Sequence, residues 1–514
     1  MHVLIADPIA AEGVELLSRH HQVDVKTGLP KQDLVGLAGS YDAIVVRSQT
    51  TIDADILAAG AGRLKVVARA GVGLDNVDVE AATRHGIVVC NAPQSNIVSA
   101  AEHTVALLLA VARNIPQAHT ALTDGRWERS SWTGTEVQGK VLGILGLGRI
   151  GTLVAQRCHA FGMHLAAYDP FVAPEHAARL GVDLHDTIEE VLALADFVTV
   201  HLPKTPDTLG LIDTAMLARM KPTARLLNVA RGSIVDEDAL AEALRKGTIA
   251  GAAIDVFATE PATDSPLFAL PNVVVTPHLG ASTAEAQDRA AVQVAEYVEL
   301  ALAGDFVPSA VNVPGGPVND LIRPYLPLAE KLGRLVTGLA GGGLDGEVTV
   351  ECAGELADED CSILGLTALR GVLAATSDEP VTLVNTPGLA EGRGLHLKQI
   401  TTRHSEAHPS SHIRVTVHDR DGQAITVGGS LHPAHRERLI EVWSTPVDVE
   451  PTRHMAFLRY RDRPGIIGVI GSILAEEQVN IASAQIGRSA PGGDAVMVLC
   501  LDQPVSRPTL AAAA

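Results

Sequence analysis

The sequence predicts an α/β protein with two doubly wound, mostly parallel sheets followed by two smaller α+β units, and three observations carry that expectation. Short β-type runs alternate with amphipathic helical stretches over residues 1–100. The same alternation returns over residues 141–276, led by a glycine-rich turn between strand and helix. Beyond residue 320 the pattern becomes that of alternating strands with a hairpin signal, and it changes once more at Arg453.

The first unit reads as strands His2–Ala6, Ala43–Val46, Val66–Ala68 and Ile87–Cys90, with Ala10–Arg19 as a surface helix. Ala100–Ala112 reads as one long buried helix, followed by a connector over Gly125–Gly139 that carries Trp and Gly. Six β-runs at βα spacing make the second unit: Val141–Leu145, Leu165–Tyr168, Phe197–Val200, Arg225–Asn228, Gly251–Ile254 and Val273–Thr276. Ser282–Ala303 is a helix leading away from it, and Pro308 with Val313–Pro317 forms a linker. In the third unit Glu347–Glu351 and Ile413–Val417 alternate as strands do. Asp421-Gly422 is expected to be a two-residue hairpin turn with both residues at positive φ. The last unit reads as strand Ala456–Tyr460, helix Pro464–Gln478 and strands Asn480–Ile486 and Ala495–Leu501.

Bulk properties exclude several classes. A chain of 514 residues is too long for one core and implies three or four domains. The net charge of -20 would repel a phosphate backbone, so nucleic acid is not the partner. The five cysteines lie far apart in sequence with no CxxC pair, which fits a reducing cytoplasm and neither a disulfide framework nor a metal site. The apolar run Thr104–Ala112 is too short to span a membrane, and the MHVLIADP start lacks the blocks of a signal peptide.

The chemistry begins at Val141. A strand runs into Gly146-Leu-Gly148-Arg149-Ile150-Gly151 and then into a helix. Gly146 permits the tight turn, Gly148 lets the backbone approach a pyrophosphate, and Gly151 lets helix and strand pack closely. The helix start supplies free N–H donors for phosphate. The next strand ends at Asp169, about 20 residues on, where a carboxylate grips ribose hydroxyls. Asp169 would repel a 2′-phosphate and no arginine follows it closely, so the cofactor is NAD rather than NADP, and the unit is Rossmann-like.

Three further residues sit at or near strand ends, which in open α/β sheets face the ligand crevice: Arg231, Glu260 and His278. Oxidation of a secondary alcohol needs a base for the hydroxyl proton, and histidine titrates near working pH. A carboxylate hydrogen-bonded to the imidazole orients it, the role of Glu260. The planar donor fork of Arg231 suits the substrate carboxylate and its C2 oxygen. Arg47 and Ser48 follow the strand Ala43–Val46, and Arg69 leads into Ala70-Gly-Val72-Gly73-Leu-Asp-Asn76, whose glycines leave N–H groups free as an anion nest. Asn96 hydrogen-bonds near the same place. Two arginines beside Arg231 suit a phosphorylated 2-hydroxy acid, with both carboxylate and phosphate to bind.

The motifs GILGLGRIG, LLNVARGSIVDE, GAAIDVFATEP and TPHLGAST resemble those of the D-isomer-specific 2-hydroxyacid dehydrogenases over residues 1 to about 310. The resemblance implies that Arg231, Glu260 and His278 are the catalytic set and that Asp255 holds the nicotinamide amide. It also implies that His201, Thr205 and Gly280 line the cofactor cleft. It further implies a discontinuous substrate domain, 1–98 plus 281–310, hinged on a cofactor domain of 99–280. A residue of the connector reaching a neighbouring subunit's site would require a dimer at least, a dimer or tetramer being expected, and Arg129 is the candidate. Residues 318–450 then correspond to an intervening domain found in long members of the family. Tyr460-Arg-Asp462-Arg-Pro-Gly-Ile-Ile-Gly, then Gln478-Val-Asn480-Ile-Ala, resembles a ferredoxin-like ACT domain over 453–514. Matching positions for an amino-acid effector such as L-serine are Tyr460, Asp462 and Asn480. Asp502–Ala514 is too short for the second helix and last strand of that pattern, so the ACT-like sheet is expected to be incomplete, with an exposed edge. Two other readings stay open: a glyoxylate or hydroxypyruvate reductase of the same class, and an NAD-sensing scaffold that keeps the fold for partner binding.

Overall fold

The structure, a computed structural model, describes the chain except residues 315–317, 342–343, 345, 378–380, 404–410, 420, 489 and 507–514. The end of the expected linker, Gly315–Pro317, and most of the expected ACT remainder therefore lie outside the described residues.

The first sheet holds β1 (His2–Ile5), β2 (Gln22–Val25), β3 (Ala43–Val46), β4 (Val66–Arg69) and β5 (Val88–Asn91), all parallel, in the order β2-β1-β3-β4-β5. Strand pleating sends Val3 and Ile5 to one face and Leu4 to the other, so each face builds its own core. The strand β2 went unread because QVDV is half polar and sits at an edge. The helix Ala284–Ala303 crosses back to this sheet: Ala290, Val294 and Val298 join the core of Val3 and Ile5. Its approach to the helix Ala11–Ser18 is so close that a Cβ on Gly13 would lie 2.7 Å from the Ala291 carbonyl oxygen.

The second sheet has seven parallel strands where six were expected. They are β6 (Val141–Leu145), β7 (His164–Tyr168), β8 (Val182–Leu184), β9 (Phe197–Val200), β10 (Arg225–Asn228), β11 (Gly251–Ile254) and β12 (Val273–Val275), ordered β12-β11-β10-β9-β6-β7-β8. The addition, β8, is a three-residue edge strand too short to show a period. The helices Ile97–Arg113 and Arg149–Ala160 cover one face, Ile188–Leu194 and Glu237–Lys246 the other. A second helix, Ile115–Thr123, follows Ile97–Arg113 after Asn114 at φ 51°, with Pro116 in its first turn. The connector holds a 3-10 turn at Arg129–Trp132.

The third sheet is mixed: β13 (Glu347–Ala353), β14 (His396–Thr402), β15 (His412–His418), β16 (Ala424–His432), β17 (Arg436–Val442) and β18 (Thr445–Val449), ordered β14-β13-β15-β16-β17-β18. Helices Leu326–Leu339 and Ser362–Ala374 pack on it, crossing so tightly that a Cβ on Gly333 would lie 2.0 Å from the Ala368 carbonyl oxygen. The β15–β16 turn departs from expectation. It runs from Asp419 to Gln423, and only Gly422 of the expected pair has positive φ, at 75°. The Asp419 carboxylate accepts from the N–H groups of Asp421 and Gln423 and builds the longer loop instead. Cys352 and Cys361, nine positions apart in sequence, bring their thiols within hydrogen-bonding reach, and all five cysteines are buried and free.

The last sheet, β19 (Met455–Arg461), β20 (Ile481–Arg488) and β21 (Asp494–Leu501), is antiparallel in the order β19-β21-β20, with the helix Ile466–Glu476 on one face. Its other face, through Val496, Val498 and Cys500, belongs to the core of the third sheet. At the seam a Cβ on Gly487 would lie 2.3 Å from the Pro446 carbonyl oxygen. Among the described residues, no helix is long and apolar enough to cross a membrane.

Candidate active site

Both parallel sheets present their carboxyl ends to one cleft of about 860 Å³, lined by Ser48 and Gln49 from the first and by Phe257, Glu260 and His278 from the second. In the second sheet the strand order reverses between β9 and β6, and the glycine turn follows β6 at that crevice. The three glycines have different constraints. Gly146 has φ 96°, and a Cβ there would lie 2.7 Å from the His201 carbonyl oxygen. A Cβ on Gly151 would lie 2.1 Å from the Gly146 carbonyl oxygen. At Gly148 an added Cβ meets nothing within 4 Å, so it faces open space at the start of the helix beginning with Arg149 and Ile150. The first and last glycines are thus fixed by packing, while the middle one leaves the cradle that a pyrophosphate needs. Asp169 directly follows β7 and accepts from the N–H groups of Leu147 (2.8 Å) and Phe171 (2.9 Å), which holds it beside the turn. The ring of His201 contacts the Thr199 hydroxyl at 3.0 Å, and burial pushes its pKa down to about 4, so it stands neutral at pH 7. Thr205 N–H donates to the Thr208 hydroxyl in the following loop.

The segments that follow β10, β11 and β12 carry Arg231, Glu260 and His278. Buried Asn228 closes the turn after β10: its amide donates to the Arg231 carbonyl and its Oδ1 accepts from Ala230 N–H. The next residue, Gly232, lies against the backbone of Phe257, where any Cβ would overlap it at 1.9 Å. That contact sets the Arg231 segment beside the segment bearing Glu260. Glu260 Oε1 accepts from Phe257 N–H at 3.0 Å, and its Oε2 lies 2.6 Å from His278 Nδ1. An ionised carboxylate only accepts, so Nδ1 carries the proton and Nε2 is left free. Burial works to raise the Glu260 pKa, but the hydrogen bonds from His278 and Phe257 N–H outweigh it and keep the group ionised. His278 itself has φ 53°, held by its N–H donating to the Asp255 carbonyl. Asp255 is fully buried and accepts from Thr276 Oγ1, from Leu279 N–H and from Gly280 N–H.

The cationic groups come from the first sheet, at its own switch between β1 and β3. Asp7, just past β1 and 1% exposed, accepts from Arg47 N–H, Thr50 N–H and the Thr50 hydroxyl, while Asn76 donates to the carbonyls of Arg47 and Thr50. Together they fix the loop bearing Arg47 and Ser48. Arg69 is largely buried, with Nε lacking a partner, and buried Asn96 Oδ1 lacks one too. Burial, then the charges of Arg231 and Arg47, push the Arg69 pKa down to about 10, and Asp75 opposes this. Asp75 Oδ2 also lies 3.6 Å from Arg231 Nε. The anion nest is a correction. Neither Gly71 nor Gly73 has positive φ. A Cβ on Gly71 would lie 2.2 Å from Arg69 Nη1 and one on Gly73 2.7 Å from Arg231 Nη2, so these glycines make room for guanidinium groups. The Val72 carbonyl accepts from Asn91.

Arg129 is exposed on the 3-10 turn and does not line this cleft. In the last sheet Tyr460 packs into the core beneath the helix. Asp462 accepts from Arg488 Nη1 at 3.1 Å, and Asn480 donates to Asp502 at 2.7 Å. Sequence reasoning missed Asp7, Asp75, Asn76, His103 and Asn228. Asp7 alone had a signal, being a carboxylate at the end of the first strand.

An imidazole oriented by a carboxylate, opening on a cleft beside a dinucleotide turn, is what removal of hydrogen from an alcohol demands, so the class is that of the nicotinamide-dependent dehydrogenases. Comparison with known proteins makes this specific. Residues 105–280 match the D-isomer specific 2-hydroxyacid dehydrogenase NAD binding domain, 321–443 the D-3-phosphoglycerate dehydrogenase intervening domain and 454–513 the ACT domain. A D-3-phosphoglycerate dehydrogenase of Mycobacterium tuberculosis is 50% identical over 504 residues, covering 98% of this chain and 95% of that protein. One from Synechocystis is 45% identical, covering 98% and 90%. The crystal structure of the TT0316 protein from Thermus thermophilus superposes with a TM-score of 0.56 at 37% identity, covering 60% of this chain and all of the other. The chain belongs to the D-3-phosphoglycerate dehydrogenase family.

Proposed function

We propose that the cleft oxidises D-3-phosphoglycerate to 3-phosphohydroxypyruvate, the first step of serine biosynthesis, and that the 2.6 Å contact between His278 and Glu260 is its working centre. His278 Nε2 takes the hydroxyl proton as the C2 carbonyl forms. Glu260 fixes the ring and stabilises the imidazolium so produced. Arg231 grips the substrate carboxylate and polarises the C2 oxygen; Arg47 and Arg69 take the phosphate, with Ser48 and Asn96 at the rim. The free rim of the Gly146–Gly151 turn, Asp169 and Asp255 would hold NAD, which supplies the acceptor for the C2 hydrogen as hydride. Phosphate selectivity is supported by the unpartnered Nε of Arg69, a buried donor that an anion would satisfy.

The domain division proposed is 1–98 with 281–310 for substrate, 99–280 for NAD, 318–450 intervening and 453–514 regulatory. A dimer or tetramer in the cytoplasm, Arg129 serving a neighbouring subunit and L-serine acting at the last module complete the reading. The test is NADH oxidation with 3-phosphohydroxypyruvate, with and without millimolar L-serine. Fast turnover supports the substrate, and suppression by serine supports the effector. Absent turnover alongside reduction of glyoxylate or another oxo acid overturns the substrate assignment.

A further inference from the structure

The helix Ile97–Arg113 is tied to the catalytic segment at two points one turn apart. Ser99 Oγ lies 2.8 Å from Thr283 Oγ1, at the start of the helix Ala284–Ala303. Four residues on, His103 Nε2 lies 3.2 Å from Asp255 Oδ1 and 3.1 Å from Thr276 Oγ1. The proton positions follow by elimination. The Thr276 hydroxyl spends its proton on Asp255 Oδ1 at 2.6 Å, so its oxygen can only accept from His103. An ionised carboxylate also only accepts. His103 Nε2 must therefore carry a hydrogen and share it between the two.

This matters because Asp255 is fully buried and has two separate duties. Its Oδ1 collects Thr276, Leu279 N–H and His103, which shapes the segment bearing His278. Its Oδ2 receives Gly280 N–H alone among the described residues and keeps acceptor capacity. Burial works to raise the Asp255 pKa. The His103 hydrogen bond leads the contributions that oppose this, and the net shift is downward. A neutral Asp255 would present a hydroxyl donor where an amide N–H needs an acceptor.

We propose that His103 is a positioning residue of the dehydrogenase: its Nε2–H keeps Asp255 an ionised, fixed acceptor for the carboxamide of the nicotinamide ring. The inference rests on reading Asp255 as that acceptor, and it extends the reactive site to the second turn of the helix Ile97–Arg113.

The test is binding, with no turnover required. NADH and ADP-ribose, which lacks the nicotinamide, are titrated by calorimetry into the wild-type protein, His103→Leu and His103→Gln. Leucine removes the donor, while the glutamine amide restores one at similar reach. The expected result is NADH affinity about tenfold weaker in His103→Leu, ADP-ribose affinity unchanged, and NADH affinity within about threefold of wild type in His103→Gln. Should the leucine variant fail to fold, His103→Asn, too short to reach Asp255, takes its place with the same expectation. Unchanged NADH binding in the donor-less variant overturns the proposal. So does equal weakening of NADH and ADP-ribose, or a glutamine variant as impaired as the leucine one. Because phosphoglycerate takes no part, failure here leaves the substrate assignment standing, and failure of that assignment leaves this result readable.

Discussion

Arg69→Met should make the protein more stable and a poorer enzyme at once. The Arg69 guanidinium is taken out of water and set near Arg231 and Arg47, and its pKa falls from the ordinary arginine range to about 10. At about 1.4 kcal/mol per pH unit, the charged side chain costs the folded state roughly 3 kcal/mol. The sign is that of a cation with a depressed pKa. The cost is present at every pH below about 10 and is relieved only as pH climbs from there toward the ordinary arginine value. Methionine keeps the stem and removes the charge, so thermal unfolding at pH 7 should shift upward by roughly 5 °C. The same change removes a charge-assisted contact to phosphate, worth about 1.5–3 kcal/mol, or roughly 10- to 100-fold in KM for 3-phosphohydroxypyruvate. Hydroxypyruvate, lacking the phosphate, should show a KM within about twofold of wild type. Differential scanning calorimetry and paired steady-state kinetics read both halves. A variant that melts lower, or that loses the two substrates equally, refutes the reasoning, because Arg69 would then be a structural ion-pair member rather than a strained anion site.

Replacing His278 by Ala should lower kcat by roughly 10²–10⁴ while leaving NADH binding intact, as seen by fluorescence titration. Glu260→Gln keeps the shape but not the charge at Nδ1, and should lower kcat by about 10²; activity within twofold of wild type would remove Glu260 from the mechanism. Gly148→Ala should melt as wild type yet bind NADH at least about tenfold more weakly, because its new methyl occupies the cradle and touches no protein atom. Gly151→Ala should instead lose about 1–3 kcal/mol of stability to the Gly146 carbonyl, so the pair separates ligand contact from packing. Glu330 is held below its ordinary 4.5 by Arg370 and Arg334 against the opposing effect of burial, so its contribution is full above that value and fades as pH falls through the depressed one. Glu330→Gln should therefore lower the melting temperature at pH 7 and flatten its decline in acid.

What the sequence made legible follows a physical division. Strands buried on both faces, such as Phe197–Val200 and Gly251–Ile254, are continuous apolar runs and read to the residue. Gln22–Val25 and Val182–Leu184 lie at sheet edges, where one face is wet and the pattern breaks. Arg231, Glu260 and His278 were readable as candidates because they sit at or near strand ends and because alcohol chemistry limits the residue types. Their supports were not. Asn76 and His103 act through side-chain hydrogen bonds to groups far away in sequence, up to 173 positions for His103 and Thr276, and Asn228 closes its own turn with a polar side chain that no apolar pattern marks. Gly71 and Gly73 were read for backbone freedom, yet their conformations are ordinary. They are small because guanidinium groups need the space, a demand visible only once Arg69 and Arg231 are placed.

The shared core between the third and fourth sheets bears on how the chain comes apart. Val496, Val498 and Cys500 are apolar, nearly inaccessible, and share one core with Leu439, Val447 and Val449 of β17 and β18. At roughly 25 cal/mol per Å² of apolar surface, exposing such a face costs several kcal/mol, comparable with the whole stability of a small module. The two C-terminal sheets should therefore melt in a single calorimetric transition. A chain cut after Val449 should expose a sticky apolar face and aggregate. In this protein the ACT module is the lid of the preceding sheet's core, so whatever loosens one sheet loosens both together.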